Sequence, residues 1–139
     1  MKRLIYEIPG KVTGHYYPKS NTIIDSWMEL NAPFDDWKKT IYDIGILDFA
    51  PKNVVTTWIT DTSKASGVFN NEIQDFREQV SATAMARSGI KLFFTVMSAS
   101  AIATLSARKT SKAYSGHGSM DSIAVSSLEE AFEIRDREL

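Results

Sequence analysis

Two polar residues that follow apolar, strand-like segments are the best candidates for chemistry in this sequence. Asp61 comes directly after the run Val54–Thr60, and Ser98 comes directly after the run Lys91–Met97. The carboxyl ends of parallel strands meet at one edge of a sheet, and ligands usually bind there. If both runs are parallel strands, a carboxylate and a hydroxyl lie near each other at that edge. One hypothesis is therefore a small enzyme that works from Asp61 and Ser98.

Other features of the sequence favour a protein without catalytic activity. A strand-end aspartate followed by a strand-end hydroxyl also occurs in response-regulator receiver domains, which need an acidic pair after the first strand to hold magnesium. The acidic pair here, Asp35 and Asp36, instead opens a helix after several strand-like segments. Asp61 is more simply a turn residue that bonds its own backbone two residues on. Because the chain also lacks a Gly-x-Ser-x-Gly motif and a phosphate-binding glycine loop, we expect no enzyme.

The metal-binding residue types are sparse. The sequence has no cysteine and only two histidines, His15 and His117, which are far apart in the chain. That spacing predicts no metal site, and we expect no cofactor. His117 lies in a Gly- and Ser-rich segment just after three basic residues of one predicted helix: Arg108, Lys109 and Lys112. These form a solvated helix face or, alternatively, a contact for an anionic headgroup or an acidic partner.

The composition indicates a single soluble domain. The chain has 139 residues, of which 43% are hydrophobic and 24% charged, and its net charge is -1. These values are typical of globular proteins, so we expect no stable membrane insertion and no nucleic-acid binding. The amino terminus is interrupted by Glu7, Pro9 and Gly10, which argues against a signal peptide. We therefore expect a cytoplasmic protein.

The order of strand and helix patterns predicts a mixed sheet. Two short runs that flank Pro9-Gly10 predict a hairpin, and Thr22–Met28 predicts a third strand. Helices then alternate with strands, which predicts a parallel portion of sheet attached to an antiparallel edge. An exposed edge also allows self-association. The later elements are a helix from Asn31 to about Gly45, strand Val54–Thr60, a helix from Asn71 to Ser88, strand Lys91–Met97, a helix from Ser98 to Tyr114, strand Ile123–Val125, and a helix opened by the capping box Ser127–Glu130.

Five segments from Val54 onward carry a family resemblance: Trp58–Ser63, Glu72–Phe76, Arg87–Lys91, Phe93–Val96 and Ser127–Phe132. In this pattern the chain resembles the SpoIIAA-like branch of the STAS superfamily, which contains anti-sigma-factor antagonists and sulphate-transporter tail domains. The resemblance implies one α/β domain over residues 1–139, with an antiparallel amino-terminal edge and a parallel core. It implies four to five or more strands, helices packed mainly on one face, and a binding or regulatory role.

In the antagonists of that family, the loop after the central strand carries a phosphorylatable serine in an Asp-Ser-Ser-Gly motif. The corresponding loop here is Asp61–Gly67, in which Lys64-Ala65 interrupts the motif and Ser66-Gly67 matches its last two residues. SpoIIAA-like proteins are also similar in fold to CRAL-TRIO lipid-transfer domains, so a carrier of a small apolar ligand is the alternative. The resemblance implies that this loop and the adjoining helix starts recognise another protein or a second copy of the chain, through Asp61, Thr62, Ser63, Ser66 and Gly67.

Overall fold

The computed structural model describes residues 1–98 and 120–139. Within these residues, six strands form one sheet in sequential order. Strands β1 to β3 pair in antiparallel fashion, whereas β3 to β6 pair in parallel. The predicted fold class, an α/β domain with an antiparallel edge and a parallel core, is confirmed. The strands are β1 Arg3–Ile8, β2 Val12–Tyr17, β3 Thr22–Trp27, β4 Thr57–Asp61, β5 Leu92–Val96 and β6 Asp121–Val125.

Three helices are described, and two of them contain π-helical segments. Helix α1 consists of Phe34–Trp37, the π-helical Lys38–Phe49, and Ala50–Lys52. Helix α2 consists of Asn71–Phe76, the π-helical Arg77–Ser81, and Ala82–Arg87. Helix α3 spans Leu128–Glu138. The helix predicted from Ser98 to Tyr114 and the loop after it fall within 99–119, outside the described residues.

The bounds of two elements differ from the prediction. Val54 was predicted to begin β4, but it is 63% exposed and the strand begins at Thr57. Gly45 was predicted to end or bend α1, but the helix continues through it to Lys52. Gly45 is buried, and a Cβ there would lie 2.9 Å from the Trp58 ring. Its small size therefore serves the packing of α1 on the sheet instead of ending the helix.

Successive strand residues point to opposite sides of the sheet, so both faces carry side chains. Helices pack on both faces. Helices α1 and α2 pack on the face that carries Ile23, Trp58 and Phe93. Helix α3 packs on the other face, against Ile59 and Phe94. Two of the three described helices thus share one face, and the larger buried cluster lies beneath them.

The starts of α2 and α3 are capped by side chains. Asn70 Oδ1 accepts a hydrogen bond from Ile73 N at 2.8 Å, as expected of an N-cap asparagine. Ser127 Oγ accepts from Glu130 N at 3.1 Å, which is half of the predicted capping box. The other half differs, because the Glu130 carboxylate accepts from Ser126 N at 2.9 Å instead of from Ser127 N.

Candidate functional site

The loop after β4 lies at the carboxyl edge of the sheet and is held by local hydrogen bonds. Asp61 Oδ1 accepts from Ser63 N at 3.0 Å and from Ser63 Oγ at 2.6 Å. This is the turn-forming role that the sequence predicts for Asp61. Thr62 donates from both N and Oγ1 to Val96 O at 2.9 Å, which fixes the loop to the end of β5.

The second half of the same loop pairs with the loop that follows β3. Ser66 and Glu29 form a parallel bridge. Leu30 N donates to Ser66 O at 2.9 Å, and Ser66 N donates to Met28 O at 3.0 Å. Gly67 has a φ of +74°, and an added Cβ would collide with the Glu29 carboxylate. We call the exposed region formed by residues 28–31 and 61–68 the paired-loop surface.

The paired-loop surface combines exposed apolar side chains with negative charge. Met28 is 55% exposed and Val68 is 72% exposed. The Glu29 carboxylate accepts from Asn31 N at 2.8 Å, and this backbone hydrogen bond lowers the pKa of Glu29. The helices that begin nearby carry further carboxylates in their first turns, where the helix dipole favours negative charge: Asp35 and Asp36 in α1, and Glu72 in α2.

The structure describes some of the predicted site residues, whereas others fall outside the described ranges. The loop residues Asp61 to Gly67 lie together at the edge where they were predicted. Ser98 is exposed and follows β5, whose last residue Val96 lies beside Asp61 in the sheet. The remaining predicted site residues lie outside the described residues: Arg108, Lys109, Lys112 and His117.

A second polar group, which the sequence did not single out, lies in the core between the sheet and helices α1 and α2. Asp25 in β3 is only 1% exposed. Its Oδ2 accepts from the Tyr6 hydroxyl at 2.6 Å and from Trp58 Nε1 at 3.2 Å. Its Oδ1 accepts from Trp27 Nε1 at 3.1 Å. We call these four residues the Asp25 cluster, which joins side chains from β1, β3 and β4.

Two glycines leave room for the Tyr6 ring within this cluster. Gly14 in β2 pairs with Tyr6 on one side and with Asp25 on the other. A Cβ on Gly14 would collide with the Tyr6 ring, and a Cβ on Gly45 in α1 would lie 3.1 Å from that ring. The ring therefore crosses β2 at Gly14 and reaches Asp25 beneath α1.

The charge on Asp25 is buried among neutral donors. Burial raises the pKa of Asp25, and hydrogen bonds from Tyr6, Trp58, Thr60 and Trp27 oppose that rise. Burial and the charge of Asp25 together raise the pKa of Tyr6. An indole N–H can only donate, and each carboxylate oxygen receives one, which favours the ionised carboxylate. Within residues 1–98 and 120–139, Asp25 forms no ion pair.

A cavity of about 20 Å³ adjoins the Asp25 cluster between the sheet and the helices. It has room for one molecule of the size of water. The lining includes Asp25, the cluster indoles, Thr60 and, on α2, Ser81, whose buried Oγ has no hydrogen-bond partner in the described part of the chain. An apolar ligand with an acyl chain would require α1 and α2 to move away from the sheet, so the carrier function stays a prediction.

One sequence signal points to Asp25. It shares a strand face with Ile23 and Trp27, so an aspartate occupies an apolar position of the period-two pattern. A charged residue at such a position is rarely buried without partners, which makes it a candidate for a polar network. The partners themselves come from distant parts of the chain and carry no local signal.

No protein-family model, no curated protein and no solved structure matches this chain. The resemblance to SpoIIAA-like STAS domains therefore stays a prediction. In the part of the chain that the structure describes, no helix has the length and apolar character needed to cross a membrane. No group of three or more histidine, aspartate or glutamate side chains among these residues is arranged to hold a metal ion.

Proposed function

We propose that this chain is a non-catalytic binding module that recognises a protein partner through the paired-loop surface. The observation that carries the proposal is the parallel bridge between Glu29 and Ser66, which joins the loops that follow two neighbouring strands. A surface that is already ordered loses little conformational entropy when a partner binds, so its contacts contribute more fully to affinity. A regulatory role of STAS type is the specific form that the sequence resemblance suggests.

The side chains of the surface favour a partner with apolar and basic groups. Met28 and Val68 are exposed and offer apolar contact area. Glu29 beside them is negatively charged, and the first turns of α1 and α2 add three carboxylates. Lys64 is the exposed cation of the same loop. Complementary charge speeds association and selects the partner, whereas the apolar contacts hold it.

The role of Asp61 also favours binding over catalysis. Its Oδ1 is engaged by the backbone and side chain of Ser63, two residues on. A carboxylate used in this way stabilises the loop conformation that presents Ser66 and Val68. The small enzyme with Asp61 and Ser98 as its catalytic groups stays a prediction, as does the apolar-ligand carrier.

A matched pair of valine variants tests the proposal. Val68 in the paired-loop surface and Val54 before β4 are both exposed, at 72% and 63%. Immobilised wild type, Val68→Asp and Val54→Asp proteins would each be incubated with a native lysate of the source organism, and bound proteins quantified by mass spectrometry. We expect the same partner on wild type and Val54→Asp, reduced about tenfold or more on Val68→Asp. Partner lists that are empty or identical for all three proteins would reject the proposal.

Ser66→Asp provides a second variant with a different mechanism. Ser66 Oγ donates to Met28 O and lies 3.3 Å from Glu29 Oε1. A carboxylate at position 66 would repel Glu29 and separate the two loops, so we expect the same partner to be lost. Light scattering of the purified protein would show whether the partner is a second copy of the chain, with Val68→Asp reducing the dimer fraction.

A further inference from the structure

The cavity beside the Asp25 cluster has polar groups on its sheet side and on its helix side. Asp25 and Thr60 are register partners on β3 and β4, and they lie on the sheet side. Ser81 lies opposite on α2, is 1% exposed, and its Oγ has no hydrogen-bond partner among residues 1–98 and 120–139. Buried hydroxyls in folded proteins are nearly always hydrogen-bonded. An unpartnered hydroxyl on the wall of a cavity is therefore a contact available to a molecule in the cavity.

The charge distribution around the cavity favours a cation. Asp25 is buried, accepts hydrogen bonds from neutral donors, and has no ion pair within the described residues. A buried charge is normally paired or accompanied by an ion, because burying it alone is costly. Three indole rings line the same cavity, those of Trp27, Trp37 and Trp58, and two of them direct their N–H groups at Asp25.

Two side chains of the lining mark where the cavity lies nearest to solvent. Phe69 and Arg77 are the half-buried residues of the lining, whereas the other lining residues are buried. The Arg77 guanidinium carbon lies 4.9 Å from the centre of the Phe69 ring. This stacked pair therefore lies on the solvent side of the cavity. The positive charge of Arg77 opposes the entry of a second cation.

We propose that this cavity is a binding site for one small hydrogen-bonding cation of the size and chemistry of ammonium. Ammonium is about as large as a water molecule, which is what a cavity of about 20 Å³ can hold. Its N–H groups donate to the hydroxyl oxygens of Ser81 and Thr60, and its charge balances that of Asp25. The Arg77–Phe69 stack limits exchange with solvent. This site is independent of the paired-loop surface.

Titration with ammonium chloride tests the proposal. Tryptophan fluorescence and the melting temperature would be followed at neutral pH, with sodium chloride and tetramethylammonium chloride as controls of equal ionic strength. We expect a saturable fluorescence change with ammonium alone. We also expect a rise in melting temperature of several degrees at about ten times the dissociation constant. The absence of an ammonium-specific response would overturn the proposal, as would a high-resolution structure in ammonium that contains only water in the cavity.

Two serine variants separate this site from a general salt effect. Ser81→Ala removes one acceptor, so the apparent affinity for ammonium should fall about tenfold or more. Ser88→Ala is the matched control near the end of α2, because Ser88 Oγ donates to Met85 O at 2.8 Å and does not line the cavity. It should keep the wild-type response. An equal response in Ser81→Ala and wild type would reject the site.

The charges of the site give two further variants. Asp25→Asn should abolish the ammonium response, and if that variant does not fold, Ser81→Ala still decides the question. Arg77→Gln should strengthen binding of ammonium, since it removes a positive charge from the entrance. Weaker binding in Arg77→Gln would contradict the proposed role of the stacked pair.

Discussion

Asp25 and Asp61 lie on neighbouring strands, one register position apart, yet their surroundings are opposite. Asp25 pairs with Thr60, the residue that precedes Asp61. Asp25 is 1% exposed and accepts from side chains of three strands. Asp61 is half-buried and accepts from Ser63, two residues on in the same loop. The strand face and the position along the strand, not the residue type, decide what each carboxylate does.

The difference has an energetic consequence. Replacing the Asp25 carboxylate by an amide leaves the buried donors with too few acceptor sites, because the amide nitrogen donates where a carboxylate oxygen accepted. Removing the Asp61 charge leaves donors that lie near solvent. The following variants test this contrast, from the largest expected effect to the smallest.

Asp25→Asn should destabilise the protein by about 3–5 kcal/mol, because the amide cannot accept from all of the buried donors. Asp61→Asn is the matched control, since an asparagine oxygen can still accept from Ser63, and it should stay within about 0.5 kcal/mol of wild type. Urea unfolding at neutral pH measures both free energies. Similar losses for the two variants would remove the contrast between the two aspartates.

Tyr6→Phe should cost about 1.5–3 kcal/mol, because it removes a hydrogen bond to a buried charged group. Tyr16→Phe is the control, since the Tyr16 hydroxyl donates to the neutral Val54 carbonyl at 2.7 Å. Its loss should be about 0.5–1.5 kcal/mol. Denaturant unfolding measures the free energy lost in each variant. A larger loss for Tyr16→Phe than for Tyr6→Phe would show that the Asp25 cluster is not the stronger network.

The sequence predicted the strands and helices of this fold more fully than it predicted the Asp25 cluster. Strand and helix patterns are local, and so is the turn at Asp61. The Asp25 cluster is not local, because Tyr6 is 19 residues from Asp25 and Trp58 is 33 residues from it. Gly45 illustrates the same limit. Its intrinsic preference favours a helix end, but packing against Trp58 overrides that preference.

Gly67→Ala should cost about 1–2 kcal/mol, because position 67 has a positive φ and an added Cβ meets Glu29. Gly10→Ala is the control: Gly10 has a φ of +75° and nothing within 4 Å of the added Cβ. Thermal unfolding should show a larger loss for Gly67→Ala, and combining it with Glu29→Ala should reduce the loss to that of Gly10→Ala. Equal losses for both single variants would mean that Glu29 does not fix the paired loops.

Ionisation of Asp25 should make the free energy of unfolding depend weakly on pH. Burial raises the pKa of Asp25 in the folded state above its ordinary value, so the folded protein holds this proton more tightly than the unfolded chain. The contribution of Asp25 to the free energy of unfolding should therefore decrease as pH rises from about 4 through the folded-state pKa. Unfolding free energies of wild type and Asp25→Asn across this range measure it, and a difference that grows with pH in favour of wild type would contradict the sign.

The most direct test of the central claim, that Asp25 organises a network across three strands, is a double-mutant cycle with Tyr6→Phe and Asp25→Asn. Unfolding free energies of the wild type, both single variants and the double variant would be measured under one set of conditions. The structure predicts a coupling energy of about 1 kcal/mol or more, because Asp25→Asn reduces the hydrogen bond from Tyr6 to at most a neutral one and Tyr6→Phe removes it. Losses that add to within about 0.5 kcal/mol would contradict the claim.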